Sequence, residues 1–195
     1  MPKQKTDPQE IIKVALEIFL EKGYHKTSMA DIANETGLLK GSLYHHFNSK
    51  EELMKAIIKS IHEWYRREIF SIQHDEKLTT EQKVRSLIAA SEDIFFTRRG
   101  GNFMTNIALE TLNVVPAFTV LIRSFFKDWV NCVEAVFAEE MPMKNAATLA
   151  RQSISEIEGA VVMMEIFDDK NYLRRTHKRV YQLYQTNRLV KQPKS

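Results

Sequence analysis

The strongest constraint on this chain is a recurring set of helix start signals. Asp7-Pro8-Gln9-Glu10 supplies an N-cap oxygen, a proline at the first helical position and a carboxylate of the capping-box type. Ile11, Ala15, Ile18 and Phe19 then share one helical face as far as Gly23. Ser28 with Asp31, Ser49 with Glu52, and Thr79 with Gln82 repeat the three-residue capping spacing. The alternating apolar pattern and Asn-Gly or Asp-Gly turns of hairpins are missing, so the chain is predicted to be all-α.

About nine helices are expected. The first ends at Gly23, the second at Gly37, and a third runs from about Lys40 to His46. A fourth, 51–72, continues through Leu53, Ile57, Ile61 and Trp64 as a connector. After a polar stretch a fifth helix reaches about Thr97, and Arg98-Arg99-Gly100-Gly101 separates it from an apolar helix at Phe103 to Leu112. The chain then passes through Asn113 to Pro116, which opens a helix to about Glu140, and Met141-Pro142 breaks that helix. Asn145 is expected to cap the next, and Tyr172, Leu173, Val180, Tyr181 and Tyr184 mark the last. Beyond Lys170 there is no acidic residue, and Arg174, Arg175, Lys178, Arg179, Arg188, Lys191 and Lys194 give a basic end expected to fray.

Composition narrows the class. At 195 residues, 44% hydrophobic and 27% charged, the chain resembles ordinary water-soluble proteins. No apolar run approaches the roughly 18 residues that span a bilayer, and the polar start lacks a signal-peptide core, so the cytoplasm is the expected compartment with no membrane partner. A single cysteine, Cys132, excludes an intrachain disulfide and a multi-thiolate zinc site. The net charge of +3 permits a nucleic-acid partner without requiring one.

The most informative stretch is Thr27-Ser-Met-Ala-Asp-Ile-Ala-Asn-Glu-Thr-Gly-Leu-Leu-Lys-Gly-Ser-Leu-Tyr-His-His-Phe-Asn-Ser-Lys50. Ile32, Ala33, Leu38, Leu43 and Phe47 are spaced to pack two short helices against the first as a helix-turn-helix. Lys40, Gly41 and Ser42 lead the second of them, where such motifs meet base edges: Lys reaches guanine, and Gly permits close backbone approach. Ser28 with Met29, and Lys50, stand at helix starts whose free N–H groups suit phosphates, and Lys50 adds a mobile charge. This stretch closely resembles the DNA-binding signature of the TetR family, over roughly the first sixty residues. The resemblance implies that Tyr44, His45 and His46 contact the DNA backbone or flank the base-reading residues. It departs at Leu39, where the family often has a small polar cap.

The same resemblance implies a palindromic operator bound by a homodimer, and a small-molecule effector whose binding tilts helix four and releases the DNA. A DNA-binding domain at 1–50 and a ligand-sensing and dimerisation domain at 51–195 are expected. In nine-helix members the last two long helices pair with their symmetry mates, and Leu149, Ser153, Ile157, Ala160, Met164, Val180 and Tyr184 are assigned to that interface. The alternative for that stripe is a face buried within one subunit. Dense aromatics and methionines suggest an apolar cavity with Trp64, Phe95, Phe103, Met104, Ile107, Phe125, Trp129 and Met163 as lining and Glu110 as a polar anchor. The alternatives are plain core packing and a solvent-facing Glu110.

An enzyme would need a nucleophile elbow, a phosphate loop or a His-Glu-x-x-His, and the sequence has none of these. Its six histidines form no i, i+4 pair, so neither metal nor other cofactor is expected. A DNA-binder without a ligand is the remaining alternative, and it would have a filled interior.

Overall fold

The computed structural model describes residues 7–97, 100–112 and 114–189. Among them there are nine α-helices and no strand: α1 (Pro8–Lys22), α2 (Met29–Glu35), α3 (Lys40–His46), α4 (Lys50–Glu68), α5 (Thr80–Thr97), α6 (Phe103–Thr111), α7 (Pro116–Ala138), α8 (Met143–Phe167) and α9 (Asn171–Asn187). Local chemistry sets most of the starts. Asp7 Oδ1 accepts the Gln9 N–H at 3.0 Å. Ser28 and Asp31 satisfy one another's backbone donors, and Thr79 and Gln82 do the same. Gly37, at φ +66°, takes the left-handed conformation after α2 that other residues adopt only under strain.

Two ends differ from expectation. Helix α4 stops at Glu68, not Ile72, and Phe70–His74 tightens into a 3-10 turn in which Ile72 N–H bonds Ile69 O at 3.1 Å while Ile69 and Phe70 are buried. Asn145 is not a cap. The N–H groups of Asn145 and Ala146 both bond Pro142 O, so α8 begins three residues earlier and proline supplies the capping backbone.

Compactness divides the chain into two units, each made from separate stretches of sequence. One holds the described residues up to Glu63 together with Phe103–Arg123. Its core contains Ile11, Ala15, Ile18 and Phe19 of α1, Met29, Ile32 and Ala33 of α2, Leu43 of α3, and Leu53, Met54, Ile57 and Ile58 of α4. Each of these Ile, Leu, Met and Phe side chains contributes about 1.5–3 kcal/mol by leaving water, and each alanine less.

The other unit holds Trp64–Asn102 and the described residues from Ser124 on. Within it α8 lies along α9, and α5 packs on α9. Phe137 stacks on Tyr184 with ring centroids 5.8 Å apart, and the Tyr184 hydroxyl donates to Glu140. The buried Lys83 amine is held by Glu139 at 2.6 Å and by the Gln73 carbonyl at 3.0 Å, so its charge is both paired and hydrogen-bonded.

Glu81 links α5 to the end of α9. It accepts the Tyr181 hydroxyl at 2.5 Å, Arg85 Nη2 at 3.0 Å and Arg188 Nη1 at 3.1 Å. These donors, Tyr181 first, pull its carboxyl down to about 2. A depressed carboxyl stabilises the fold above its ordinary value of 4.5 and loses that contribution as pH falls toward about 2. Urea midpoints of Glu81→Gln are therefore expected to lie below wild type at pH 7 and to change less between pH 5 and about 2; parallel curves for the two proteins would refute this role.

Candidate functional site

Helix α3 presents one face and buries the other. Leu43 is fully buried and Phe47 nearly so, while Lys40, Gly41, Ser42, Tyr44 and His45 are exposed and His46 is half-buried. The two histidine rings meet edge-on at 5.9 Å. Leu39 N-caps α3 without a side-chain bond, and its carbonyl accepts Ser42 and Leu43 N–H at 2.9 and 3.1 Å. Its own side chain is 80% exposed, directly before Lys40. Sequence reasoning registered Leu39 only as a poor cap. The signal that could have found it was an apolar residue at a position favouring small polar ones.

The phosphate-docking residues behave differently from expectation. The Lys50 charge is not mobile, because its amine donates to Tyr24 O at 2.7 Å and Thr27 O at 2.8 Å and lies 4.2 Å from the Tyr24 ring centre. Partial burial lowers its pKa, with Glu110 opposing. Ser28 N–H is not free either: it donates to Asp31 Oδ2 at 2.8 Å, and the Ser28 hydroxyl donates to the same oxygen at 2.6 Å. These bonds hold the Asp31 carboxyl below its ordinary range. A carboxylate at this helix start competes with a phosphate for the same dipole. The Met29 side chain is buried.

Glu110 is exposed, not sunk in an apolar interior, and its polar atoms are engaged by the chain itself. Its Oε2 accepts Tyr24 N–H at 2.9 Å, its carbonyl lies 3.1 Å from His25 Nε2, and its carboxylate covers Gly23. Phe103, Met104 and Ile107 are buried in the same unit, and Phe103 and Ile107 border a hollow with Phe19, Gly23 and Glu110. The expected lining thus falls into two separate groups.

In the second unit Phe95, Phe125 and Trp129 come together, and Trp64 joins them through its chain neighbour Tyr65. Tyr65 meets Trp64 edge-on at 5.3 Å and Phe125 at 4.8 Å, and Trp129 packs with Phe95, Phe125 and Phe126. Met163 is exposed on α8 and joins none of these pairs.

The assigned dimer stripe is buried within one chain. Leu149, Ser153, Ile157, Ala160 and Met164 form the inner face of α8, and Val180 and Tyr184 belong to the inner face of α9. Ser153, Ile157 and Val180 border an internal cavity that Trp129 also lines. The apolar face left open on α8 is instead Val162, Met163, Ile166 and Phe167, the last two 67% and 58% exposed, with Gly159 one turn before Met163.

Cys132 is fully buried, and desolvation pushes its thiol up to about 12, which makes the reactive thiolate scarce. Among the described residues no group of three or more His, Cys, Asp or Glu is arranged to hold a metal ion, and no helix is long and apolar enough to cross a membrane. Arg98, Arg99, Asn113, Lys191 and Lys194, read above as linker and basic end, lie outside the described residues.

Comparison with known proteins agrees with this geometry. Residues 11–57 match the model of bacterial regulatory proteins of the tetR family. Residues 82–179 match the C-terminal domain of LmrA/YxaF-like transcriptional regulators. The HTH-type transcriptional repressor KstR2 of Mycobacterium tuberculosis is 42% identical over 55 residues, which span 28% of this chain and 28% of that relative. The fatty acid metabolism regulator protein of Bacillus subtilis is 24% identical over 179 residues, 88% of this chain and 90% of the relative. Among solved structures, a TetR transcriptional regulator from Chloroflexus aurantiacus aligns with a TM-score of 0.82 at 24% identity, covering 94% of this chain and 96% of its own. One from Legionella pneumophila gives 0.80 at 21% identity, covering 92% and 98%.

Proposed function

Because this chain belongs to the TetR family of transcriptional regulators, we propose that it is a repressor that binds a palindromic operator as a homodimer and is released by a small apolar or amphipathic molecule. Its role is regulatory, not enzymatic. The observation that carries the reading is the two-sided α3, with Leu43 and Phe47 fixed in the core and Lys40, Gly41, Ser42, Tyr44 and His45 turned outward together. A short helix anchored in this way enters a major groove as a rigid body. Lys40 reads a guanine edge, and the exposed Leu39 supplies apolar contact for a thymine methyl. Tyr44, His45 and His46 serve the backbone. Lys50 acts mainly by clamping the turn between α1 and α2, through the Tyr24 and Thr27 carbonyls, beneath the reading head.

The DNA-binding domain is assigned to 1–50 and the sensing and dimerisation domain to 51–195. The second copy is assigned to the open face of α8, where Val162, Ile166 and Phe167 stand out and Gly159 has no atom within 4 Å of the position a Cβ would take. The relatives' names as a transcriptional repressor and a fatty acid metabolism regulator support regulation of transcription. Effector coupling of about 1–3 kcal/mol suffices to change operator affinity some 5- to 150-fold.

The reading is tested by selecting bound duplexes from a random pool. Two-fold symmetric sites are expected, with affinity falling steeply as salt rises. Lys40→Ala should lower discrimination at one base pair of each half-site by about 5- to 150-fold, in line with roughly 1–3 kcal/mol for a good base contact. Failure to enrich any sequence would refute the reading, and an unchanged base preference in Lys40→Ala would remove Lys40 from it.

A further inference from the structure

Leu39 has the most exposed large apolar side chain among the described residues, at 80%, and it stands at the head of α3. The helices around α3 in sequence start on side-chain oxygens: Asp7 for α1, Ser28 for α2 and Ser49 for α4. Helix α3 starts on Leu39, whose side chain makes no capping bond. A small polar residue in its place would stabilise the helix start. Its neighbour Leu38 is half-buried, so the pair divides, one leucine toward the fold and one toward solvent. Leu39 thus costs the free protein a cap and returns little packing.

The backbone at this point is fixed. Leu39 is extended, at φ −64° and ψ 142°, and its carbonyl accepts the Ser42 and Leu43 N–H groups. Buried Leu43 and Phe47 hold the helix that follows. The exposed Leu39 side chain is therefore rigidly mounted and continuous with the exposed Lys40, Gly41 and Ser42. Consecutive Cα atoms lie about 3.8 Å apart, close to the roughly 3.4 Å between base pairs. Leu39 accordingly falls within one base pair of the guanine that Lys40 reads.

Leucine carries no side-chain donor or acceptor, so it is blind to the O4 acceptor of thymine and to the N4 donor of cytosine. What it can distinguish on the major-groove edge of a pyrimidine is an apolar group at C5, which in thymine is a methyl. 5-Methylcytosine carries the same methyl at the same place. Contact with that methyl removes apolar surface from water on both partners, whereas uracil or cytosine leaves a gap.

We propose that Leu39 reads a C5-methyl group rather than a base, so that thymine and 5-methylcytosine are favoured over uracil and cytosine at that pair. The proposal rests on the reading of α3 as the helix that enters the major groove. It adds a covalent mark to what an operator can carry: a site with cytosine at that pair is bound more tightly once its C5 is methylated. Burial of one methyl, at roughly 0.8 kcal/mol, corresponds to about fourfold in affinity for each half-site. Two half-sites multiply this to about 15-fold.

The test uses the full chain and a symmetric duplex enriched from a random pool, with binding read by fluorescence anisotropy. Thymine is expected within one base pair of the position at which Lys40→Ala loses discrimination. Exchange of that thymine for deoxyuridine in both half-sites removes only the methyl and should weaken binding about 15-fold. At the same position 5-methylcytosine should bind about 15-fold more tightly than cytosine. Leu39→Ala should bring both ratios close to one, with its melting temperature nearly unchanged because the side chain stands in water. Leu39→Met retains an apolar tip and should retain both ratios. Lys40→Ala, weaker overall, should retain them too, which separates methyl reading from a general loss of affinity. Equal binding of the thymine and deoxyuridine duplexes by the wild-type chain would overturn the proposal, as would ratios that survive in Leu39→Ala. A chain that enriches a duplex and ignores its methyls loses the Leu39 assignment alone. Failure to enrich any duplex would instead strike the DNA-reading role of α3 itself.

Discussion

Ile166→Asp should convert the protein to monomers by light scattering and lower operator affinity about 100-fold or more. Ile166 is 67% exposed on a helix whose opposite face is buried in its own chain, so the charge stays largely in water in the free subunit. In the proposed dimer it would oppose a second apolar face of the same kind. Two linked reading heads gain roughly 10²–10⁴ in avidity over one, and a monomer forfeits that gain without losing any DNA contact of its own. A matched change on the inner face separates the two roles of α8. Ile157→Glu places a charge among buried neighbours and should lower the melting temperature sharply rather than dissociate a folded dimer. A stable dimer of Ile166→Asp with wild-type affinity would move the interface elsewhere.

Gly41→Ala is expected to raise stability and to damage function in the same protein. A Cβ built at Gly41 meets no atom within 4 Å, so the fold itself does not require glycine there. Alanine is favoured over glycine inside a helix by about 0.8–1 kcal/mol, a gain readable as a higher urea midpoint. The added methyl nonetheless stands on the exposed face of α3 between Lys40 and Ser42, where the backbone must approach the bases. Operator affinity should fall tenfold or more by fluorescence anisotropy. A variant both more stable and equally tight on DNA would show that α3 does not approach DNA through this face.

The all-helical class and most helix starts could be read from the sequence because caps are local. Ser28 and Asp31 find each other three residues apart whatever the rest of the chain does, and so do Thr79 and Gln82. The outward set on α3 was legible for a related reason: Leu43 and Phe47 fix its rotation. What periodicity does not encode is what covers a face. Helix α8 carries two apolar faces, one through Leu149, Ile157 and Met164 and one through Val162, Ile166 and Phe167, and only the packing of α9 decides which is inside. Glu110 and Lys50 were misread on the same ground. Their partners, Tyr24 in both cases, lie 86 and 26 residues away in sequence, a distance at which spacing carries no information.

The unit containing the reading head is closed by α6 and the first turn of α7. Glu110 grips the Tyr24 amide, His25 meets the Glu110 carbonyl, and the Tyr24 ring stands edge-on to Phe118 at 5.2 Å. The head is therefore not a cassette that can be cut out at its sequence boundary. A chimaera that transplants the first fifty residues onto a foreign sensor inherits Tyr24 and His25 but not Glu110 or Phe118. Interchange between relatives is workable only where the recipient's own sixth helix offers the same grip, so sequence variation in that helix and in the turn after α1 is bound to travel together.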